Sequence, residues 1–367
     1  MPNQRLILHT GFHKSGTTAL QESLFVQSDE LLKNGISYPF FGKKAHHRLA
    51  WALTQRTWGW KNRGGEATPG SVWTKAARQI NSSKLETVVL SSEFFSELKP
   101  EKIIKIKNEI TLRDIEVVFT IRPLAKLLGS SYQQYLKYGT KADYETWLHS
   151  VLDDPGISKL NPTFWMRHMH GDVVAKWVEV FGPDNVSVVV VDESKPDFLY
   201  QSMNQILRVE GLLKPQQTGS NRSLSVEEIS LLLEVNKQFP KDREWNEYLT
   251  FIRNGLVREL TDNIPITSGQ VKLPTPQWAT DKANSLATIG KERIIGLGVK
   301  VYGDIQTLDS AAVESGTPVY SRTIDVETAA KVLLAFDRAQ IKRFPLRWLL
   351  AELKRRIVSR LRRHSSR

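Results

Sequence analysis

The chain contains no cysteine. Disulfides and thiol chemistry are excluded, and nothing indicates an oxidising compartment. No apolar run is long enough to span a bilayer. The first apolar segment begins by residue 6, which leaves no room before it for a signal peptide. These absences lead us to expect a soluble cytoplasmic protein. There is no internal repeat. Acidic residues are the minority, 39 against 51 Lys and Arg, for a net charge of +12. What is present is ordinary for a globular core: 40% hydrophobic residues and ten tryptophans in 367 residues, enough for one large domain or two small ones.

The positive charge is unevenly placed. Between Lys342 and Arg367 there are ten Lys and Arg and one acid, Glu352. Outside this tail the excess is of the size usual for a soluble domain. Nucleic-acid binders usually carry a basic patch on the folded domain, so no nucleic-acid partner is expected. In the tail, Leu346, Leu349, Leu350, Leu353, Ile357 and Leu361 recur at helical spacing. Such a stripe can pack on the domain or on a second copy in a homodimer, the reading preferred for its first half. It can also lie as a basic amphipathic helix, over residues 342–363, on an anionic membrane.

The most informative stretch lies near the start. Leu6-Ile7-Leu8 reads as a strand and leads into His9-Thr10-Gly11-Phe12-His13-Lys14-Ser15-Gly16-Thr17-Thr18-Ala19-Leu20-Gln21, which turns into a helix. A loop between a strand and a helix offers backbone N–H groups and a helix N-terminus to a phosphate. Gly11 and Gly16 have the spacing of a nucleotide-triphosphate P-loop, but Thr17 stands where that loop has lysine, and the lysine sits at position 14.

A second segment, Glu116 to Ile121, is a largely apolar run that reads as a buried parallel strand. It ends in Arg122-Pro123, with Pro123 suited to a helix start, and Ser130 follows eight residues after Arg122. Arginine forks onto phosphate and a hydroxyl can complete the oxygen shell.

The string K-[ST]-G-T-T-x-L-Q resembles the 5′-phosphosulfate loop of sulfotransferases that use 3′-phosphoadenosine 5′-phosphosulfate (PAPS). Arg122 and Ser130 match that family's 3′-phosphate pair. A late G-x-x-V-x-G-D segment, Gly298 to Asp304, is similar to the ending of bacterial members, with Ile305 in place of their leucine. The resemblance spans roughly residues 5–310 and suggests a bacterial source. It implies a P-loop-like α/β fold, a parallel sheet flanked by helices, with a helical C-terminal part. Residues 1–230 would form the PAPS-binding core, 231–310 a helical extension of it, and 311–367 a C-terminal segment. It also implies in-line transfer of a sulfuryl group to an acceptor hydroxyl, with no metal. His13, Lys14, Ser15, Gly16, Thr17 and Thr18 would surround the 5′ end, Arg122 and Ser130 the 3′-phosphate. Arg222, in the polar segment before Val226, stands where the family has a closing basic loop. That segment reads equally well as a helix start, with Ser225 and Glu228 forming a capping box.

The acceptor side is less defined. Val88-Val89-Leu90 reads as a strand, and Glu93 follows it at the edge where ligands bind in open α/β sheets. Some carbohydrate-directed family members have a glutamate base in a similar place. Glu93 is therefore the first choice for the base, although a glutamate also suits a helix start. His47 is the second choice, and its ordinary reading is a solvated loop histidine. His168 and His170 read as helix-face residues. Trp51, Trp58, Trp60 and Trp73 suit either sugar faces or a packed helical subdomain. They favour a carbohydrate or glycoconjugate acceptor over other hydroxyl compounds. A divergent P-loop kinase or NTPase using Mg-ATP is the alternative, and Thr17 in the lysine slot counts against it.

Overall fold

The computed structural model describes residues 4–60, 62–158, 160–216, 222–264, 272–342 and 346–364. Residues 219–221, the start of the polar segment before Val226, lie outside the described residues. Among the described residues eight strands form: β1 Arg5–His9, β2 Ile36–Ser37, β3 Thr57–Trp58, β4 Glu66–Ala67, β5 Thr87–Ser91, β6 Asp114–Ile121, β7 Val186–Val190 and β8 Lys300–Tyr302. Six of them make one sheet in the order β2-β5-β1-β6-β7-β8, and β3 and β4 form a separate antiparallel pair. Every pairing in the large sheet is parallel.

Parallel strands buried on both faces need apolar residues at consecutive positions, which is why these segments read as runs and not as alternations. One face sets Leu6, Leu8, Val88, Leu90, Val117 and Phe119 against the helices Ser71–Ser82, Pro100–Glu109 and His170–Phe181. The other sets Ile7, Val89, Val118 and Val189 against Leu20 and Leu24 of helix Thr17–Val26 and Met203 of helix Phe198–Leu207. The chain thus winds outward from β1 to β5 and β2 on one side and to β6, β7 and β8 on the other. The helix leaving β1 and the helix entering β6 cover opposite faces. This is the topology in which the carboxyl ends of adjacent central strands open a crevice.

A second, helical core sits beside the sheet. It joins Leu128 and Tyr132 of helix Leu124–Leu136, Trp147 of helix Tyr144–Leu152, Leu232 of helix Val226–Gln238 and Ala283 of helix Gln277–Gly296. Leu249–Val257 is a π-helical segment between Trp245–Tyr248 and Arg258–Asp262. Residues 300–302, which the sequence places within a helical extension, are the sheet's edge strand beside β7. At the C-terminus, helix Val326–Lys342 inserts Val332 and Ala335 into buried positions. Helix Leu346–His364 differs: Leu346, Leu349, Leu350, Leu353 and Ile357 are all exposed. The first half of the stripe, expected to pack on the domain or on a second copy, does not pack on the domain.

Candidate active site

The loop after β1 is laid onto β6 by main-chain bonds. Thr10 N–H donates to the Val118 carbonyl at 2.9 Å and Phe12 N–H to that of Thr120 at 2.8 Å. Gly11 has no room for a side chain, since a Cβ there would meet Thr120 Oγ1 at 2.4 Å and Thr17 Cγ2 at 2.5 Å. Lys14 and Gly16 both adopt left-handed backbone, with φ of 66° and 82°. Glycine does this freely and lysine does not, so the loop holds Lys14 in a strained, fixed conformation. Gly16 caps helix Thr17–Val26 with no side chain bonded to the first turn, which leaves those N–H groups for an anion.

The loop residues divide by what they face. Ser15 is buried, its hydroxyl donating to the Phe12 carbonyl at 2.6 Å and lying 2.8 Å from Thr120 Oγ1. That hydroxyl is committed to holding the loop, contrary to its expected use on a ligand. Thr17 is buried against Gly11, and Thr18 is exposed at the helix start. Lys14 Nζ donates to Gln134 Oε1 at 3.3 Å. Burial pushes the Lys14 ammonium below its ordinary pKa; Glu93 opposes that shift, and Arg122 and Arg253 add to it.

Arg122, at the end of β6, donates from Nη1 to the Lys14 carbonyl at 3.5 Å, so the two residues are brought together. Its Nη2 is ion-paired with Glu193, and its Nε is buried without a partner. An orphaned guanidinium N–H beside a partly exposed competing carboxylate fits a site that exchanges a protein acid for a ligand anion. Ser130 lies two turns along the following helix, its hydroxyl bonded to the Leu127 carbonyl at 3.0 Å.

Glu93 opens a short helical turn after β5. Its Oε2 lies 3.3 Å from Gln21 Nε2 and 3.6 Å from His47 Nδ1. Burial raises the Glu93 carboxyl, but the nearby His47 and His13 outweigh it and hold it below the ordinary value. Burial lowers the His47 imidazole in turn, against the pull of Glu93. His47 Nδ1 is also 2.9 Å from Ser92 Oγ. Lys14, Glu93 and His47 thus converge at the carboxyl edge of β1 and β5.

His13 points elsewhere. Its Nε2 is 2.9 Å from Glu97 Oε1, which also accepts from Arg167 Nε at 2.7 Å; Arg56 is ion-paired with the other oxygen. Burial would raise the Glu97 carboxyl, but Arg167 and its companions hold it far below the ordinary range. Arg222 also faces inward. It forms a bidentate pair with Glu228 at 2.5 and 2.7 Å and donates to the Leu260 and Ile264 carbonyls. In this arrangement Arg222 ties the start of helix Val226–Gln238 to the end of Arg258–Asp262; both its Nη groups are engaged, and its Nε, like that of Arg122, is buried without a partner. His46, His168 and His170 are buried.

Several site residues went unassigned in the sequence. Gln21 lies within the quoted motif, so its place one turn into the helix was a usable signal. Gln134 and Lys137 sit at i, i+3 at the end of helix Leu124–Leu136, toward the same neighbourhood. Arg253 lies 4.3 Å from the Tyr138 ring centroid and 5.6 Å from that of Trp58. Trp58 stacks on Trp51 at 4.8 Å, and Trp51 meets Phe94 at 5.2 Å. The four tryptophans therefore separate into two kinds. Trp73 is fully buried core, and half-buried Trp60 packs on the helical core against Phe239, Trp245 and Tyr248, while half-buried Trp51 and Trp58 line this side of the site. Among the described residues, no group of three or more His, Asp or Glu is arranged to hold a metal.

No protein family profile matches the chain, and no curated protein matches it. Among solved structures, it is similar to a sulfotransferase from Alicyclobacillus acidocaldarius at 16% identity, over 64% of this chain and 92% of that one, with a TM-score of 0.40.

Proposed function

We propose that this chain is a sulfotransferase that moves a sulfuryl group from PAPS to an acceptor hydroxyl, that of a carbohydrate or glycoconjugate. The observation that carries the reading is the loop itself. Lys14 is held inside it in a left-handed conformation, bonded to Arg122 through its carbonyl and close enough to Glu93 to feel its charge. The sequence K-S-G-T-T-A-L-Q, with threonine in place of the P-loop lysine, supports PAPS over a nucleoside triphosphate. The residues fit such a donor: open N–H groups at Thr17 and Thr18, a lysine point charge, and an arginine with an unpartnered Nε.

The donor supplies an activated sulfuryl group, and the protein supplies position and charge. Glu93, ionised at neutral pH, takes the proton of the attacking hydroxyl as the new O–S bond forms. Lys14 and the loop N–H groups stabilise the negative charge that develops on the bridging oxygen as the old S–O bond breaks. Arg122 and Ser130 hold the far end, so the reacting atoms are kept in line. His47 orients the Glu93 carboxylate.

Calorimetric titration with adenosine 3′,5′-bisphosphate, beside ATP with Mg²⁺, tests the reading in wild type and Arg122→Ala. Metal-independent binding of the bisphosphate that Arg122→Ala weakens by ~10–100-fold supports it. Binding of Mg-ATP with indifference to the bisphosphate replaces it with a divergent P-loop kinase.

A further inference from the structure

Lys14 and Arg253 both lie close enough to Lys137 to act on it by charge, and Arg253 acts on Lys14 in the same way. Lys137 is half-buried, and its ammonium makes no hydrogen bond or ion pair with any described residue. Glu228, the carboxylate acting on it, is already held by Arg222 at 2.5 Å. Arg253 likewise has no carboxylate partner among the described residues; it rests on the Tyr138 and Trp58 rings. Burial, with Lys14 and Arg253 adding to it, lowers the Lys137 ammonium to about 8. Assembling cations without counter-charge is costly in a half-buried setting. Arg253 also sits in the middle of the π-helical segment Leu249–Val257, a distortion that often marks functional positions.

The cations are joined to the Glu93 base by a continuous aromatic wall. His47 meets Phe94 at 5.0 Å, Phe94 meets Trp51 at 5.2 Å, Trp51 stacks on Trp58 at 4.8 Å, and Trp58 meets Tyr138 at 5.4 Å. Arg253 closes the far end. Aromatic faces accept the apolar faces of sugar rings, while unpaired cations call for an anion. Lys14 and Arg122 serve the donor, which leaves Lys137 and Arg253 for a different charge.

We propose that the acceptor is an acidic saccharide, with its sugar ring on the Trp51–Trp58 wall and its carboxylate or sulfate ester held by Lys137 and Arg253. The proposal rests on the sulfotransferase reading above, and the test separates the two. With adenosine 3′,5′-bisphosphate saturating, the full chain is titrated with a glucuronate-containing tetrasaccharide, a sulfated form of it, and a neutral tetrasaccharide of equal length. At least one acidic probe should bind ~10-fold or more tighter than the neutral one. Arg253→Gln and Lys137→Gln should each erase most of that difference and leave bisphosphate affinity within about three-fold, which also serves as the folding control. Equal binding of acidic and neutral probes, no saccharide binding, or discrimination that survives both substitutions overturns the proposal. Absence of bisphosphate binding instead overturns the donor assignment.

A separate observation carries a second proposal. In helix Leu346–His364 the exposed stripe of Leu346, Leu349, Leu350, Leu353 and Ile357 is accompanied by seven Lys and Arg and a single acid. Near its start, Arg347 bonds Glu66 of β4 at 2.9 Å. β4 pairs with β3, which carries Trp58. We infer that this helix lies on an anionic membrane surface, its leucines in the interface and its cations among lipid phosphates. The charge decides the occupant: two copies meeting through this helix would bring like charges together. The full chain should co-sediment with vesicles of 30% phosphatidylglycerol in phosphatidylcholine, at least ~10-fold more than with phosphatidylcholine alone. High salt or Leu350→Glu/Leu353→Glu should abolish this. No preference for the anionic vesicles, or a dimer in sedimentation that the same double substitution dissolves, overturns it.

Discussion

His47 Nδ1 stands 3.6 Å from Glu93 Oε2, between the ends of two segments that are remote in sequence. The pair contains both candidate bases. The Glu93 carboxyl lies below its ordinary value, and the His47 imidazole is likewise lowered. Near neutrality Glu93 is thus charged and His47 neutral, so both can accept a proton and the pH profile distinguishes them.

Glu93→Gln should reduce kcat by ~10²–10⁴-fold with bisphosphate affinity preserved. The carboxylate is the active form and its value is depressed, so kcat/KM should be flat through neutral pH. It should fall only on acidification below the usual 4.5 of a glutamate. An acid limb above 4.5 and below 6.5 that His47→Gln removes would assign the base to His47 instead.

Lys14→Met should cost ~10²–10³-fold in kcat, the scale seen when one preorganised charge is removed at a developing anion. The ammonium is the active form and burial lowers its pKa. Activity should therefore decline as pH rises, through a point below the ordinary lysine value of 10.5. An alkaline limb at or above 10.5 would argue against a buried Lys14 in the working enzyme.

Glu193→Gln removes the acid that occupies Arg122. Because that pair is half-exposed, its loss should tighten adenosine 3′,5′-bisphosphate binding modestly, by up to about five-fold. Weaker binding in a calorimetric titration would show that Glu193 positions the guanidinium and does not compete for it.

Glu97 is the structural anchor beneath the site, buried among Arg167, Arg56 and His13. Glu97→Ala leaves these cations uncompensated and should cost about 3–5 kcal/mol in denaturant unfolding. Its folded pKa is depressed, so its contribution is complete above the ordinary carboxylate range and is lost on acidification through the lowered value. The wild-type protein should lose more stability than the variant between neutral and acidic pH.

The central strands were legible because parallel strands covered on both faces must be largely apolar, as Val88 to Leu90 and Val117 to Phe119 are. The edge strands were not. β2 has two residues and β8 three, too few to show any pattern. The loop could be read because its geometry is local: glycine where a Cβ would collide, lysine three residues after it. The capping box at Ser225 and Glu228 was visible for the same reason. That Arg222 would spend its fork on that same Glu228 was not. Nor was the Glu97 cluster, whose partners lie 41 and 70 residues away in the chain. Trp73 and Trp58 look alike in sequence, and only the packing of helix Ser71–Ser82 separates core from wall.

Thr120 supports the loop through Gly11, Phe12 and Ser15, and Arg122 follows it by two residues on the same stretch of chain. The loop and the Arg122 guanidinium are therefore spaced by the end of β6. On the proposed function that span works as a gauge: a nucleotide whose negative groups are spaced otherwise could engage one end or the other, but not both.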